Sequence, residues 1–338
     1  MLSRGWIHFF QPLKRMRTTV KCLICPKGCE LFPGEIGDCR VRQNVKGNIQ
    51  CLTYSQPCSF NIDPVEKKPL YHFLPGSQIL SIGTAGCNLH CKQCQNWQIS
   101  QSNHTSSRDF QPLEVAEAAI GRKCPAIAYT YAEPLVSYEY TLDCCRTAVE
   151  MGVKNVLVTA AFINPNPLRE LCTYVDAANV DLKSFSDEFY RTICDARLKP
   201  VLNALKIIKE SGVLLEITNL IIPTLNDSED ETKSLCSWVA ENIGIETPLH
   251  FSRFFPHNQL QQIPPTPEKT IIRAREIAIE SGLQFVYVGN MADGVGESTW
   301  CPRCGKLLIE RHGYSIPINR LKNGKCPECK MVIYGVWE

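Results

Sequence analysis

Nineteen cysteines in 338 residues constrain this chain more than any other feature of its sequence. Eleven of them fall in three tight groups: Cys22, Cys25, Cys29 and Cys39; Cys87, Cys91 and Cys94; and Cys301, Cys304, Cys326 and Cys329. The apolar run from Trp6 to Phe10 is interrupted by His8 and is too short for the core of a secretory signal. No stretch approaches the roughly 18 apolar residues of a membrane span. Thiols in such a chain are expected to stay reduced, and grouped reduced thiols point to metal rather than to disulfides. The expected location is therefore cytoplasmic. The first 29 residues contain bases and no acid, a faint resemblance to an organellar transit peptide. Cys51, Cys58, Cys124, Cys144, Cys145, Cys172, Cys194 and Cys236 lie outside the groups and are expected to act as small buried hydrophobes. A net charge of +2 gives no electrostatic argument for nucleic acid or an anionic membrane.

The middle of the chain alternates strand and helix patterns. Strands are expected at 78–85, 126–133, 154–162, 177–183, 214–223, 248–255 and 285–289, with helices at 112–123, 135–151 and 200–211. Ser228 and Glu231 read as a capping box for the helix carrying Leu235, Trp238 and Val239. Thr266 and Pro267 read as the cap and first residue of a helix that ends at Gly282. Such alternation implies a parallel sheet. Six or seven βα units suit an open, partial barrel better than a closed eightfold one, and active residues are then expected at the C-terminal strand ends. The expected division is a tail over 1–20, a Cys-rich metal-binding module over 21–77, an α/β partial barrel of (βα)6 type over 78–291, and a zinc-ribbon-like module over 292–338. The last follows a link containing Gly294 and Gly296.

The segment from Gly83 to Trp97 carries Cys87, Cys91 and Cys94 on the loop after the first barrel strand. Three thiolates on one short loop can fold around a single cubane, and glycines let the backbone approach it. Clusters used only for electron transfer are normally held by four cysteines, so three leave one iron open for chemistry. A zinc site with His90 as fourth ligand is the structural alternative. Cys-x3-Cys-x2-Cys after the first strand of a βα barrel resembles the signature of radical S-adenosylmethionine (SAM) enzymes. The resemblance is close to the radical SAM member of the AmmeMemoRadiSam system, related to pyruvate formate-lyase activating enzymes. It is carried by the segments 22–29, 63–70, 178–185 and 250–254 as well as by the Cys87 loop. Gln93 departs from it, standing where many members place an aromatic whose backbone meets the adenine.

The resemblance implies an open [4Fe–4S] cluster that SAM chelates, reductive cleavage to methionine and a 5′-deoxyadenosyl radical, and hydrogen abstraction from a substrate. It implies an electron donor such as flavodoxin or ferredoxin. Candidate SAM ligands follow strand by strand. Glu133 lies where the family carries a glycine-rich motif, although the usual double glycine is missing; a carboxylate there suits the SAM ammonium, or serves only as a helix N-terminal acid. Asp181 and Lys183 match the activating enzymes' Asp-x-Lys, and alternate strand residues share one face. A structural ion pair is the alternative. Gln93, Arg253, Glu216 and Thr218 are further candidates, whereas His250 reads as a hydrogen-bonded core histidine.

Cys301-Pro-Arg-Cys304 and Cys326-Pro-Glu-Cys329 form two knuckles, as a closed structural zinc site requires, with a second iron–sulfur cluster as the alternative. Cys22, Cys25, Cys29 and Cys39 suit zinc or an auxiliary [4Fe–4S] cluster nearly equally, with the Pro/Gly turn between them leaning to zinc. The expected activity is radical SAM chemistry on a protein substrate or companion protein, either activase-like or modifying. The alternatives are an RNA or small-metabolite substrate, or a non-enzymatic electron-transfer protein. The substrate itself is not legible.

Overall fold

The computed structural model describes residues 19–103, 109–291 and 296–338. The expected tail therefore lies almost entirely outside the described residues, as does Gly294. Short antiparallel pairs open the chain: β1 (Val20–Lys21) with β2 (Glu30–Leu31), and β3 (Arg42–Val45) with β4 (Asn48–Cys51).

The main sheet follows. β5 (Ser59–Pro64) lies antiparallel to β6 (Gln78–Gly83). From β6 the sheet continues parallel and in chain order through β7 (Ala126–Tyr129), β8 (Lys154–Thr159), β9 (Ala177–Asp181), β10 (Leu214–Ile221), β11 (Leu249–Arg253) and β12 (Val286–Gly289). Strands such as β7 are buried at every residue, because helices cover parallel sheets and leave them no solvent face. The helices are α1 (Trp97–Ser100), α2 (Pro112–Gly121), α3 (Tyr138–Glu150), α4 (Pro165–Cys172), α5 (Asp187–Ile193), α6 (Leu198–Glu210), α7 (Glu229–Asn242) and α8 (Glu268–Glu280). β5 and β12 form opposite edges of the eight-stranded sheet, so the barrel is partial, as the unit count implies. Among the described residues, no helix is long and apolar enough to cross a membrane.

Several expected strands stop early. β7 ends at Tyr129, β8 at Thr159 and β9 at Asp181. The residues beyond leave the hydrogen-bonded ladder and turn into loops, and these loops build the site. Helical residues begin with a 3-10 turn at Pro134–Ser137 before α3. The capping box at α7 is only half formed. Ser228 accepts from the Glu231 amide, but the Glu231 carboxylate reaches across to Ser184 Oγ and the Phe185 amide. Thr266 does not cap α8. Its hydroxyl donates to Ile221 O and accepts from the Phe254 amide, and Pro267 takes the N-cap position.

The C-terminal module is a three-stranded antiparallel sheet of β13 (Thr299–Trp300), β14 (Leu307–His312) and β15 (Ser315–Asn319), followed by the second knuckle. Its apolar residues form one cluster with Tyr71, Phe285 and Tyr287 of the barrel. Phe73 bridges to Val336, and His72 shares its ring nitrogens between Tyr334 O and the Tyr287 hydroxyl. The module thus joins the segment after β5 to β12. Arg311 is fully buried in this seam. It donates to Tyr71 O, Glu297 O and Thr299 Oγ1 and stacks 4.3 Å from the Tyr71 ring.

Candidate active site

The loop after β6 is held from several directions. Its Asn88 amide donates to Phe162 O, and Gln101 donates to Leu89 O. The His90 and Lys92 amides donate to the carbonyls of Cys194 and Ile193. The His90 ring turns away from the barrel interior, with Nε2 2.8 Å from Asp38 and Nδ1 2.6 Å from Gln101. Lys27 joins this network through Asp38 and Asp195, so the charges clasp the N-terminal module to the loop. His90 is thereby spent on carboxylate and amide and does not complete a zinc site with the three thiols.

Gly86 shows how closely the two parts meet. Its φ is +96°, and a Cβ there would lie 2.6 Å from Val41 Cγ1 and 2.8 Å from Cys39 O. Gly86→Ala is expected to cost about 1–3 kcal/mol of stability through backbone strain and overlap. A thermal melt, with iron content after reconstitution, checks it; an unchanged melting temperature would show that this contact relaxes freely.

Cys87, Cys91 and Cys94 line one cavity of about 540 Å³ at the C-terminal ends of the strands. That volume suits a ligand of SAM's size. Gln93, Glu133, Asp181, Lys183 and Thr218 line the same cavity. Burial pushes the Cys87 and Cys94 thiols up. The Cys91 thiol is pushed up by the neighbouring Cys194 and then by burial. These thiols need a metal's charge to ionise, and loading a metal there releases protons. Cys194 is completely buried and does not line the cavity, so it backs Cys91 instead of offering a ligand into the open space.

Glu133 caps the turn after β7 and also lines the cavity. Oε1 accepts from Thr159 Oγ1 at 2.6 Å and from the Leu135 amide at 3.2 Å, capping the 3-10 turn. Oε2 accepts from the Ala160 amide at 2.9 Å and retains capacity for another donor. Burial raises its carboxyl, opposed by those three donors. Asp181 and Lys183 pair at 3.0 Å. Burial opposes the Lys183 charge, and the Asp181 carboxylate beside it holds it in place. Gln93 is buried, its Oε1 has no hydrogen-bond partner, and it faces the cavity.

Other candidates lie elsewhere. Arg253 donates to Thr266 O and pairs with Glu268 at 2.8 Å, outside the cavity lining. Glu216 accepts from the His72 amide and from His250 in the buried seam below, where His250 is the core histidine it resembled. Sequence reasoning passed over Lys67, Lys68, Tyr131 and Asn96, which also line the cavity. Only the inclusion of 63–70 among the shared segments pointed toward the two lysines.

A family model described as "Radical SAM superfamily" matches residues 81–236. An uncharacterized protein of Methanocaldococcus jannaschii is 45% identical over 314 residues, covering 92% of this chain and 93% of that protein. The chain belongs to the radical SAM superfamily. A pyruvate formate-lyase-activating enzyme of Clostridium pasteurianum is 24% identical over 162 residues, 47% of this chain and 67% of that protein. Among solved structures, a radical SAM methyltransferase from Sphaerobacter thermophilus superposes with a TM-score of 0.52 at 15% identity, covering 80% of this chain and 76% of that one. As a radical SAM enzyme, the chain uses an iron–sulfur centre with SAM, and the thiols of Cys87, Cys91 and Cys94, gathered on one cavity, have the chemistry to hold such a centre.

The other two cysteine groups differ from it in form. The sulfur atoms of Cys301, Cys304, Cys326 and Cys329 all lie within 4.8 Å of one another, with Cys301–Cys329 at 3.5 Å and Cys304–Cys326 at 3.6 Å. A tetrahedron of thiolates about 2.3 Å from zinc has edges of about 3.8 Å, so these four fit one metal ion. Cys22, Cys25, Cys29 and Cys39 line a separate small cavity together with Asn88 of the cluster loop.

Proposed function

We propose that this radical SAM enzyme holds an open [4Fe–4S] cluster on Cys87, Cys91 and Cys94 and draws a hydrogen atom from a protein substrate. The observation that carries the first part is the meeting of three thiols with Glu133, Asp181 and Lys183 around one cavity. The relation to a pyruvate formate-lyase-activating enzyme supports the second. When bound, the cluster supplies the electron that splits the SAM sulfonium into methionine and a 5′-deoxyadenosyl radical. Glu133 Oε2 would accept from the SAM ammonium, while the Thr159, Leu135 and Ala160 donors fix its direction. Lys183 keeps Asp181 oriented at the cavity wall, and the apolar flank of buried Leu89 and partly buried Val158 and Leu220 would limit water at the reacting carbon. Zinc on Cys301, Cys304, Cys326 and Cys329, and a second metal on Cys22, Cys25, Cys29 and Cys39, complete the proposal. So do a flavodoxin- or ferredoxin-like electron donor and a cytoplasmic location.

Release of 5′-deoxyadenosine from the reduced, reconstituted protein tests the chemistry; its absence from iron-replete protein would sink the reading. Glu133→Gln tests the SAM contact. A hydrogen bond to a charged group is worth ~1.5–3 kcal/mol, so the SAM dissociation constant should rise roughly ten- to a hundredfold. The melting temperature should fall as well, because an amide nitrogen would face one of the three existing donors. Asp181→Asn, at a partly exposed side chain, should weaken SAM with little loss of stability. Equilibrium binding beside thermal melts separates these effects. An unchanged constant in both variants would remove SAM from this wall.

A further inference from the structure

One wall of the same cavity has a chemistry that SAM does not require. β5 ends at Asp63–Pro64, and a 3-10 turn (Val65–Lys67) presents Lys67 and Lys68 to the cavity. Asp63 does not line it and sits behind the two ammonium groups. Its Oδ1 is 2.8 Å from Lys67 Nζ and its Oδ2 is 2.7 Å from Lys68 Nζ. The Tyr131 hydroxyl donates to Asp63 Oδ2 at 2.6 Å, and Lys68 Nζ lies 4.5 Å from the Tyr131 ring. The Lys68 side chain is 4% exposed and the Lys67 side chain 47%.

Two features mark this wall as more than an ion pair. First, two ammonium groups share one carboxylate: the buried Lys68 neutralises Asp63, and the half-exposed Lys67 brings a second positive charge to the cavity that, among the described residues, no further carboxylate pairs with. Second, Tyr131 holds φ +72°, a strained value for a tyrosine. Asn96 Nδ2, two residues past Cys94, donates to Tyr131 O at 2.6 Å and keeps it there. The strained ring, the lysines and the cluster loop are thus one assembly.

The charged side chains at the cavity form two groups, or poles: one around Lys183, the other on Asp63. Glu133, Asp181 and Lys183 carry two negative charges and one positive; Asp63, Lys67 and Lys68 carry the reverse. SAM bears an ammonium, a sulfonium and a carboxylate, a net positive charge that suits the first pole and is repelled by the second.

We propose that Lys67 and Lys68 anchor an oxyanion, a carboxylate or a phosphate, carried by the substrate that gives up hydrogen, with Asp63 and Tyr131 as positioning residues. This rests on the radical SAM reading for the placement of SAM at the acidic pole. The test uses reconstituted holoenzyme saturated with SAM and titrated calorimetrically with inorganic phosphate and, separately, with N-acetylaspartate. At least one probe should bind saturably, one per chain, and more weakly as salt rises. Lys67→Ala is the variant to use, because its half-exposed side chain can be removed without opening the core. It should weaken the probe roughly tenfold, and Lys67→Arg should largely restore it. SAM affinity should stay as in the parent protein. The preferred probe distinguishes a phosphorylated small molecule from an acidic peptide. A parent protein that binds neither probe, or a Lys67→Ala variant that binds them unchanged, overturns the proposal. So does a variant that loses SAM instead, which would assign the lysines to SAM's own carboxylate. Failure of the parent holoenzyme to bind SAM at all would be a failure of the underlying reading, and that control separates the two.

Discussion

Alanine at Cys87, Cys91 or Cys94 is expected to abolish SAM cleavage, leaving 5′-deoxyadenosine at background in reduced, reconstituted protein. The expectation follows from the donor set. All three thiols face one cavity, and each supplies a bond that water cannot replace at the same strength. Iron at this centre should be lost or sharply reduced, while zinc stays with Cys301, Cys304, Cys326 and Cys329. Cys194→Ala is the control. It removes a thiol next to Cys91 that does not line the cavity, so the iron–sulfur absorbance and the cleavage should persist. If any one of the three alanine variants keeps its activity, that residue is no ligand. If Cys301→Ala loses iron while zinc stays, the two sites have been exchanged.

Loss of the C-terminal metal should be the larger blow to stability. The module's strands are short, and its own buried apolar residues in the seam are few: Leu308, Ile309 and Ile333 with Cys301 and Cys326. A structural zinc in so small a unit contributes apparent folding free energy on the order of 10–16 kcal/mol at neutral pH. Cys326→Ser should therefore release the zinc and lower the melting temperature steeply. The damage should pass into the barrel, because Tyr71, Phe285 and Tyr287 belong to the same apolar cluster and Arg311 ties Tyr71 to Thr299. Metal analysis beside differential scanning calorimetry decides it. A variant that loses zinc yet melts with the parent would show that the strands hold the seam unaided.

The architecture was legible because parallel strands buried on both faces leave continuous apolar runs, and the helices between them repeat at helical spacing. The three cysteine groups were legible because thiol spacing is local. What escaped was of two kinds. Strand ends were overextended, since Tyr131, Ala160 and Lys183 continue the apolar or alternating pattern while lacking a ladder partner. Contacts between distant segments left no local trace. Glu231 fits a capping box by spacing, yet Ser184, 47 residues away, takes its carboxylate. Arg253 stands on a strand pointing at the site, yet Glu268 draws it off. The cysteines outside the groups look alike in sequence, although Cys51 and Cys58 are only partly buried and Cys194 packs behind Cys91. Lys67 and Lys68 precede a proline and resemble an ordinary surface pair until the fold buries Lys68 and sets the half-exposed Lys67 at the cavity.

The clasp on the cluster loop bears on how this protein is made. Lys27 pairs with Asp195, 168 residues later in the chain, and Asn88 is held by Phe162, 74 residues on. A ribosome has therefore to complete most of the barrel before the loop carrying Cys87 can take its final shape. The N-terminal cysteines emerge first and must wait for their docking surface. Until then all seven thiols of the two groups are exposed to whatever metal the cell offers. Iron is therefore expected to reach the central loop late in maturation, and a nascent chain arrested before Asp195 should acquire zinc in preference to a cluster.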